Sequence, residues 1–161
     1  MDFFDARCQT GPHQDVQFGL VDDQAGGVAY VDTINPASWI ATVSNQRQLP
    51  VMFTAIDKCV IQDNQEPGRG RCDCMLTTGD LLYLVELKDQ VPPWRDHAID
   101  QLISTIKFLQ QYHDISSFRK RKAFAANRKR PFFVELDNEL NLRLFRETGF
   151  RIDVQATVLI V

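Results

Sequence analysis

Long apolar runs are absent from this chain, and no stretch approaches the ~20 consecutive apolar residues that a membrane-spanning helix needs. The first five residues, MDFFD, are acidic where a secretory signal would be basic and then apolar. Cysteine is also scarce, at four residues, and the net charge is only −3. These absences predict no membrane contact, a cytoplasmic location, reduced thiols and no overall attraction to nucleic acid.

The length and composition are typical of a globular protein. The chain has 161 residues, of which 44% are hydrophobic and 24% charged. This is one domain's worth of sequence, so a single domain over residues 1–161 is predicted. No internal repeat, low-complexity tract or linker divides it.

The cysteines offer one metal site to consider. Zinc would have to recruit Cys59, Cys72 and Cys74 together with one of the three histidines. The Cys-x-Cys spacing lacks the two intervening residues of common zinc knuckles, which disfavours zinc. Cys72 and Cys74 flank Asp73, so they are expected on the face of a strand opposite to it.

Hydrophobic periodicity and turn residues predict alternating strands and helices. After an irregular arm at 1–16, the predicted elements are a β-hairpin (18–22 and 28–32, around residues 24–27), a helix (36–46), a strand (51–62), a second hairpin (71–76 and 81–88), a long helix (94–113), a strand (122–126), a helix (137–147) and a strand (151–161). This order predicts an α/β or α+β fold, with a mixed sheet packed by helices.

The second hairpin carries the clearest polar pattern. With a two-residue turn at Thr78-Gly79, Asp73 lies opposite Leu84, one diagonal step from Glu86 and on the same face. Lys88 shares that face by period-two geometry. Two acids and an amine would then converge at one strand end, whereas a three-residue turn would send Asp73 to the other face.

This convergence suits phosphodiester chemistry. Paired carboxylates such as Asp73 and Glu86 bind Mg²⁺ or Mn²⁺ together with waters and phosphate oxygens, and the carbonyl of Leu87 is a further candidate ligand. Lys88 is placed to hold or deprotonate the attacking water and to stabilise charge developing on phosphorus.

The hairpin, the apolar strand before Glu86-x-Lys88 and the long helix after it resemble the PD-(D/E)XK nuclease superfamily. That resemblance implies a restriction-endonuclease-like αβββαβ core over about residues 36–127. It also implies metal ligation by Asp73 and Glu86, a catalytic Lys88, and Gln101 approaching the site from the long helix. Cys72 replaces the usual proline, and Thr105 stands where one branch has tyrosine.

The first helix predicted for this core contains no acid, which weakens any second metal site. Asp57 on the preceding strand is a candidate supporting acid, and Asn45 on the predicted helix is a second candidate supporting residue.

Seven of the eighteen basic residues fall in one stretch: Arg119, Lys120, Arg121, Lys122, Arg128, Lys129 and Arg130. Two interpretations carry equal weight, a grip on a phosphate backbone and a charged edge strand that blocks edge pairing. Phe132 and Phe133 are expected to pack in the core, with stacking on bases as the alternative.

These observations predict a cytoplasmic, metal-dependent nuclease of DNA repair or defence that acts on DNA in preference to RNA. A homodimer would be needed to cut both strands. The alternative is a non-catalytic module on the same fold, such as an immunity or assembly protein with a protein partner. The acidic net charge of −3 and the helix without an acid favour that alternative.

Overall fold

Two mixed β-sheets and two α-helices make up the fold in the computed structural model, which describes residues 1–22 and 25–161. The elements are β1 (Gln9–His13), β2 (Gln17–Val21), β3 (Tyr30–Asp32), β4 (Ala41–Ser44), β5 (Val51–Ala55), β6 (Cys74–Thr78), β7 (Leu81–Lys88), α1 (Arg95–Tyr112), β8 (Lys120–Asn127), α2 (Asn138–Thr148), β9 (Phe150–Val154) and β10 (Thr157–Leu159). Single 3₁₀ turns cover Ala6–Cys8 and Pro36–Ser38. The predicted mixed α/β class is confirmed.

The larger sheet has the order β1-β5-β6-β7-β8-β9. Its first four strands pair antiparallel, and β7, β8 and β9 run parallel. Helix α1 forms the crossover between the parallel strands β7 and β8. The smaller sheet has the order β10-β4-β2-β3, with β10 parallel to β4.

The two faces of the larger sheet bury different partners. One face packs against α1, where Leu82 and Leu84 of β7 meet Leu102 and Ile106 of the helix. On the opposite face, alternate side chains such as Tyr83 and Val85 pack against the smaller sheet. Even-numbered residues of β7 therefore point towards α1 until Glu86 and Lys88 interrupt the apolar pattern.

Both helices follow the sequence prediction closely. The long helix runs over Arg95–Tyr112, against a predicted 94–113. Asp137 caps α2 by accepting a hydrogen bond from the Glu139 N–H, and Gly149 ends the helix with a φ of 78°. Only glycine adopts that conformation without strain, which explains why it stops the helix.

The helix predicted over 36–46 is wrong. A 3₁₀ turn at Pro36–Ser38 leads instead into strand β4, where Ala41 and Val43 are buried and Thr42 and Ser44 half-buried. Ile40, Thr42 and Val43 are β-branched, and such residues favour strands. The few apolar positions of this segment fit both the helical period of 3.6 residues and the strand period of two. Pairing with β2 and β10 stabilises the strand.

Other predicted boundaries also differ. The strand predicted over 51–62 ends at Ala55 and gives way to turns, and the predicted final strand divides into β9 and β10, which belong to different sheets. The strands of the first hairpin are confirmed as β2 and β3, whereas part of its turn, at Gln24, lies outside the described residues.

The N-terminal segment is ordered, which contradicts the predicted irregular arm. Phe3 is fully buried, and β1 pairs with β5. A disulfide joins Cys8 to Cys59, so the expectation of four reduced cysteines is wrong for this pair. Disulfides are rare in cytosolic proteins, so this one does not support the predicted cytoplasmic location. The location stays a prediction.

Cys72 and Cys74 are free and buried. With Cys59 in the disulfide, the zinc site considered above lacks one of its ligands. No helix within residues 1–22 or 25–161 has the length and apolar character to cross a bilayer.

Candidate active site

The turn between β6 and β7 sets the face on which Asp73 lies. These strands pair from Cys74↔Val85 to Thr78↔Leu81, so the two-residue loop is Gly79-Asp80 rather than the predicted Thr78-Gly79. Gly79 has a φ of 54°, which suits the first central position of a type II′ turn. Because side chains alternate with period two, this two-residue correction keeps Asp73 on the predicted face.

Continued by one residue, the observed register places Asp73 directly opposite Glu86 instead of Leu84. Asp73 Oδ2 accepts a 2.7 Å hydrogen bond from the Leu87 N–H just beyond the end of the β6–β7 ladder. Lys88 Nζ lies 3.3 Å from Glu86 Oε2. The structure thus brings together the two acids and the amine at the carboxyl end of β7, on the α1 side of the sheet.

Burial governs the protonation of the two acids. Glu86 is 1% exposed, and desolvation, followed by the charge of Asp73, raises its pKa well above the usual range. Desolvation also raises the pKa of Asp73, but hydrogen bonds from Glu86 and from the Leu87 N–H oppose that rise. We therefore assign the proton of the pair to Glu86, which donates it to an ionised Asp73.

The donor set of this pair fits a hard divalent cation. Glu86 Oε1 is buried, and no N–H or O–H donor of the described residues reaches it. The N–H and C=O of a strand residue point to the same side, so the Leu87 carbonyl faces the side of Asp73 past the end of β6. Asp73, Glu86 and the Leu87 carbonyl are the residues that would hold Mg²⁺ or Mn²⁺, in place of the proton.

Among the described residues, Asp73 and Glu86 do not form part of a larger cluster of ligating side chains. Within the described part of the chain, no group of three or more His, Cys, Asp or Glu side chains is placed to hold a metal ion. Mg²⁺ is commonly held by one or two carboxylates, with waters and phosphate oxygens completing its shell.

Helix α1 holds the chain segment that leads into Asp73. Gln101 Nε2 donates to the carbonyl of Arg71 over 3.4 Å, and Gln101 Oε1 is buried with no hydrogen-bond partner among the described residues. Gly70 passes so close that a Cβ there would lie 3.2 Å from Gln101 Cγ. Gln101 thus contacts the segment that precedes Asp73, and its approach to the active site stays a prediction.

Thr105, one turn further along α1, makes the tightest link. Its Oγ1 accepts a 2.7 Å hydrogen bond from the Cys72 N–H and donates to the Gln101 carbonyl over 2.8 Å. Sequence reasoning treated this threonine only as a departure from the family. The sequence feature that could have identified it is a hydroxyl among the buried apolar residues of α1. Because it fixes the peptide before Asp73, we assign it a positioning role.

Asp57 is committed to an ion pair. Arg71 Nε donates to Asp57 Oδ1 over 2.7 Å, and Arg71 Nη2 lies 2.8 Å from Asp63 Oδ1. Asp57 influences the site through its charge, which contributes to raising the pKa of Asp73. The importance of Arg71 was missed, since its partners come from a loop with no periodic pattern.

Asn45 is buried elsewhere, and its prediction as a supporting residue is wrong. Its side chain donates to the Leu49 carbonyl over 2.9 Å and accepts from the Leu49 N–H over 3.0 Å. These bonds close the turn after β4. The residue directly follows strand β4 and does not lie on the helix from which it was predicted to face Asp73.

Cys72 also departs from prediction. Cys74 belongs to the core between the sheets, as expected for the face opposite Asp73. Cys72 instead packs in the core on the α1 side. The reason is that regular strand geometry begins only at Cys74, so strict alternation does not extend back to Cys72.

The basic stretch divides between the two ends of β8. Residues 119–122, the first basic cluster, lie at the amino end, where Lys120 pairs in register with Leu81. Residues 128–130, the second basic cluster, follow Asn127, which pairs with Lys88 at the carboxyl end. Only the second cluster therefore lies at the end that carries the two acids.

Phe132 and Phe133 are exposed, which contradicts the expectation that they pack in the core. Their exposed fractions are 82% and 63%. They directly follow the second basic cluster, on the same loop after β8.

Comparisons of the chain with family models, with curated proteins and with solved structures gave no match.

Proposed function

We propose that the protein is a nuclease that hydrolyses nucleic-acid phosphodiester bonds with one Mg²⁺ or Mn²⁺ ion. The observation that carries this proposal is the buried pair of Asp73 and Glu86 beside Lys88, with Glu86 Oε1 left without a hydrogen-bond donor of the described residues. A carboxylate pair buried without enough donors is costly unless a proton or a cation neutralises it.

The order of elements supports membership of the PD-(D/E)XK superfamily. β5, β6, β7, α1 and β8 follow the βββαβ part of the expected core, with Asp73 at the start of its second strand and Glu86 and Lys88 at the end of its third. The departure is the first helix, because strand β4 occupies that part of the chain. The proposal therefore rests on the site and on this partial core.

The residues have distinct roles in the proposed reaction. A bound divalent cation lowers the pKa of a coordinated water and screens the phosphate charge. Asp73 and Glu86 would hold the cation, and Lys88 Nζ would orient the attacking water and stabilise the charge developing on the phosphate oxygens. The water oxygen would bond to phosphorus and release its proton to solvent, while the bond to the leaving sugar oxygen breaks and that oxygen takes up a proton from solvent.

The test is a cleavage assay with Mn²⁺ and Mg²⁺ on single-stranded DNA, duplex DNA and RNA. We expect cleavage that EDTA abolishes, and Asp73→Asn and Glu86→Gln to lower the rate by about 10²-fold or more. Asp153→Asn is the matched control, since Asp153 binds Lys122 on the face of the sheet opposite to Glu86. No cleavage of any substrate, or full activity in Glu86→Gln, would overturn the proposal.

A non-catalytic binding module on this fold is the second candidate. It is favoured because no group of three or more ligating side chains is found in the described part of the chain, and because a 3₁₀ turn and strand β4 stand where the first helix was expected. In such a module the proton shared by Asp73 and Glu86 would be the permanent neutralising group. The protein would then bind no divalent cation at these residues and cleave no nucleic acid.

A further inference from the structure

Two adjacent phenylalanines lie exposed beside the candidate active site, with no role in the proposed chemistry. Phe132 and Phe133, here called the aromatic pair, have exposed fractions of 82% and 63%. Phenylalanine is among the residues most often buried, so two consecutive exposed rings call for a partner that covers them.

The backbone on both sides of the aromatic pair is anchored to the larger sheet's edge. The Pro131 carbonyl accepts a 3.0 Å hydrogen bond from the Ala156 N–H, and the Val134 N–H donates to the Val154 carbonyl over 2.9 Å. The rings are therefore presented by a short loop fixed at both ends.

The residues immediately before the aromatic pair are basic. Arg128 binds Asp89, and the Arg128 N–H donates to the Lys88 carbonyl over 2.9 Å, which places the loop directly beside the proposed catalytic strand. For Lys129 and Arg130, no carboxylate partner is found in the described part of the chain. Two positive charges are thus available next to two exposed aromatic faces.

We propose that the loop over residues 128–133 is a binding platform for single-stranded nucleic acid, on which unpaired bases stack while Lys129 and Arg130 contact phosphates. Aromatic rings stack on every base and so bind single strands with little sequence preference. In a duplex the base faces are already stacked and cannot be reached. The position of the loop relative to Glu86 and Lys88 makes single strands the substrate class, an assignment that rests on the proposed function.

The amino end of β8 provides the internal contrast. In the first basic cluster Lys122 binds Asp153, and Arg121 lines a pocket together with Tyr112, which is 40% exposed. Arg130 of the second basic cluster donates to the Lys129 carbonyl, but no carboxylate binds it in the described part of the chain. Among the described residues, two consecutive exposed phenylalanines occur only after the second basic cluster.

The experiment measures binding separately from cleavage. Fluorescence anisotropy in EDTA compares labelled (dT)₂₀, (rU)₂₀ and a 20-base-pair duplex on the full chain. The variants are Phe132→Ala/Phe133→Ala, Lys129→Ala/Arg130→Ala, and as controls Arg119→Ala/Lys120→Ala and Tyr112→Ala. Tyr112 is an exposed aromatic residue at the end of α1.

We expect at least one of the single strands to bind tighter than duplex, and the double phenylalanine variant to lose about tenfold or more in that affinity. Lys129→Ala/Arg130→Ala should flatten the slope of log affinity against log salt by about 1.4, and the two control variants should bind like wild type. Equal binding by the phenylalanine variant, or tighter binding of duplex, would overturn the platform. So would a wild-type dimer that this variant dissociates in sedimentation velocity, because the rings would then be a self-association contact.

Loss of binding in the phenylalanine variant without any metal-dependent cleavage by wild type would support the platform and reject the nuclease. Metal-dependent cleavage that is unchanged in the phenylalanine variant would support the nuclease and reject the platform.

Discussion

The two ends of the parallel strands β7 and β8 make an instructive comparison. Each end carries a basic cluster. Lys88 lies 3.3 Å from Glu86 at the carboxyl end, whereas Lys122 of the amino-end cluster lies 3.1 Å from Asp153, which pairs in register with Phe124 on the opposite face of the sheet. They differ in burial, because Glu86 is 1% exposed whereas the Asp153 side chain is 25% exposed. Only the carboxyl end combines buried carboxylates, a carbonyl past the end of a strand ladder, and exposed aromatic rings.

The difference shows that burial, more than the presence of charge, sets Glu86 apart from Asp153. A solvent-exposed ion pair contributes little energy. A buried acid pair must take up a proton or a cation. In open sheets with parallel strands, ligands bind beyond the carboxyl ends of those strands, where successive loops converge. The loops after β7 and β8 do so here: the Asn127 side chain holds the backbone of Gln90 through two hydrogen bonds.

The largest expected effect is the loss of cleavage in Lys88→Ala, compared with Lys122→Ala as its counterpart. Lys88→Ala should lower the rate of Mn²⁺-dependent cleavage by about 10²-fold or more, because it removes the group that orients water beside the cation. Lys122→Ala removes a lysine that contacts an acid on the opposite face of the sheet and should leave the rate within about twofold. Steady-state cleavage rates at saturating Mn²⁺ check this, and equal losses in both variants would break the comparison.

Stability without metal should respond in the opposite direction. Glu86→Gln is expected to raise the melting temperature in EDTA at neutral pH, since glutamine copies the protonated acid without the cost of ionising it. Each unit by which burial raises the pKa of Glu86 corresponds to about 1.4 kcal/mol once the pH exceeds that pKa. Asp153→Asn on the opposite face of the sheet is the control and should give no such gain.

The pH dependence of this gain has a definite sign. In the folded protein the pKa of Glu86 is raised above its ordinary value of 4.5, so the folded state binds more protons than the unfolded state as the pH passes that value. The free energy of unfolding of the wild type therefore falls as the pH rises from about 4.5 towards the folded pKa. The advantage of Glu86→Gln should be small at pH 4 and should grow with pH. A melting-temperature difference that shrinks with increasing pH would contradict the assigned proton.

A smaller effect is expected one layer behind the acids. Thr105→Val leaves the buried Cys72 N–H without its acceptor, which should cost about 1–3 kcal/mol of stability. It should also lower the cleavage rate by loosening the peptide before Asp73. Thr105→Ser keeps the hydroxyl and should restore both values. Denaturant unfolding measures the loss of stability, and separate kcat and KM values measure the loss of activity. A positioning role requires kcat to fall while KM stays unchanged.

The smallest effect is expected at the exposed amino end. Arg119→Ala should change the free energy of unfolding by no more than about 0.5 kcal/mol, since the side chain is exposed. Cleavage should be unchanged. A loss of activity like that of Lys88→Ala would show that both ends contact the substrate.

The central hairpin and the two helices could be read from the sequence because local signals there agree. Gly79 marks the turn, and Asp137 and Gly149 mark the two ends of α2. The hairpin register was wrong by two residues, but the period of a strand is two, so the face of Asp73 was still correct. A one-residue error would have lost the site.

The errors occur where distant pairing decides. Residues 41–44 become a strand because β2 and β10 accept them as a neighbour, and nothing within the segment shows this. Arg71 binds Asp57, which is 14 residues away in sequence, and Thr105 binds Cys72, which is 33 residues away. The exposure of Phe132 and Phe133 likewise depends on the anchoring of a loop to β9, which hydrophobicity alone does not predict.

We propose that Asp73 and Glu86, at the carboxyl end of β7, release their shared proton when they bind a divalent cation. Isothermal titration calorimetry with Mn²⁺, in two buffers of different ionisation enthalpy below the pKa of the pair, measures both events. The account predicts one bound Mn²⁺ per chain, release of about one proton, and loss of binding in Glu86→Gln but not in Asp153→Asn. Mn²⁺ binding that is unchanged in Glu86→Gln, or no binding to the wild type, would contradict it.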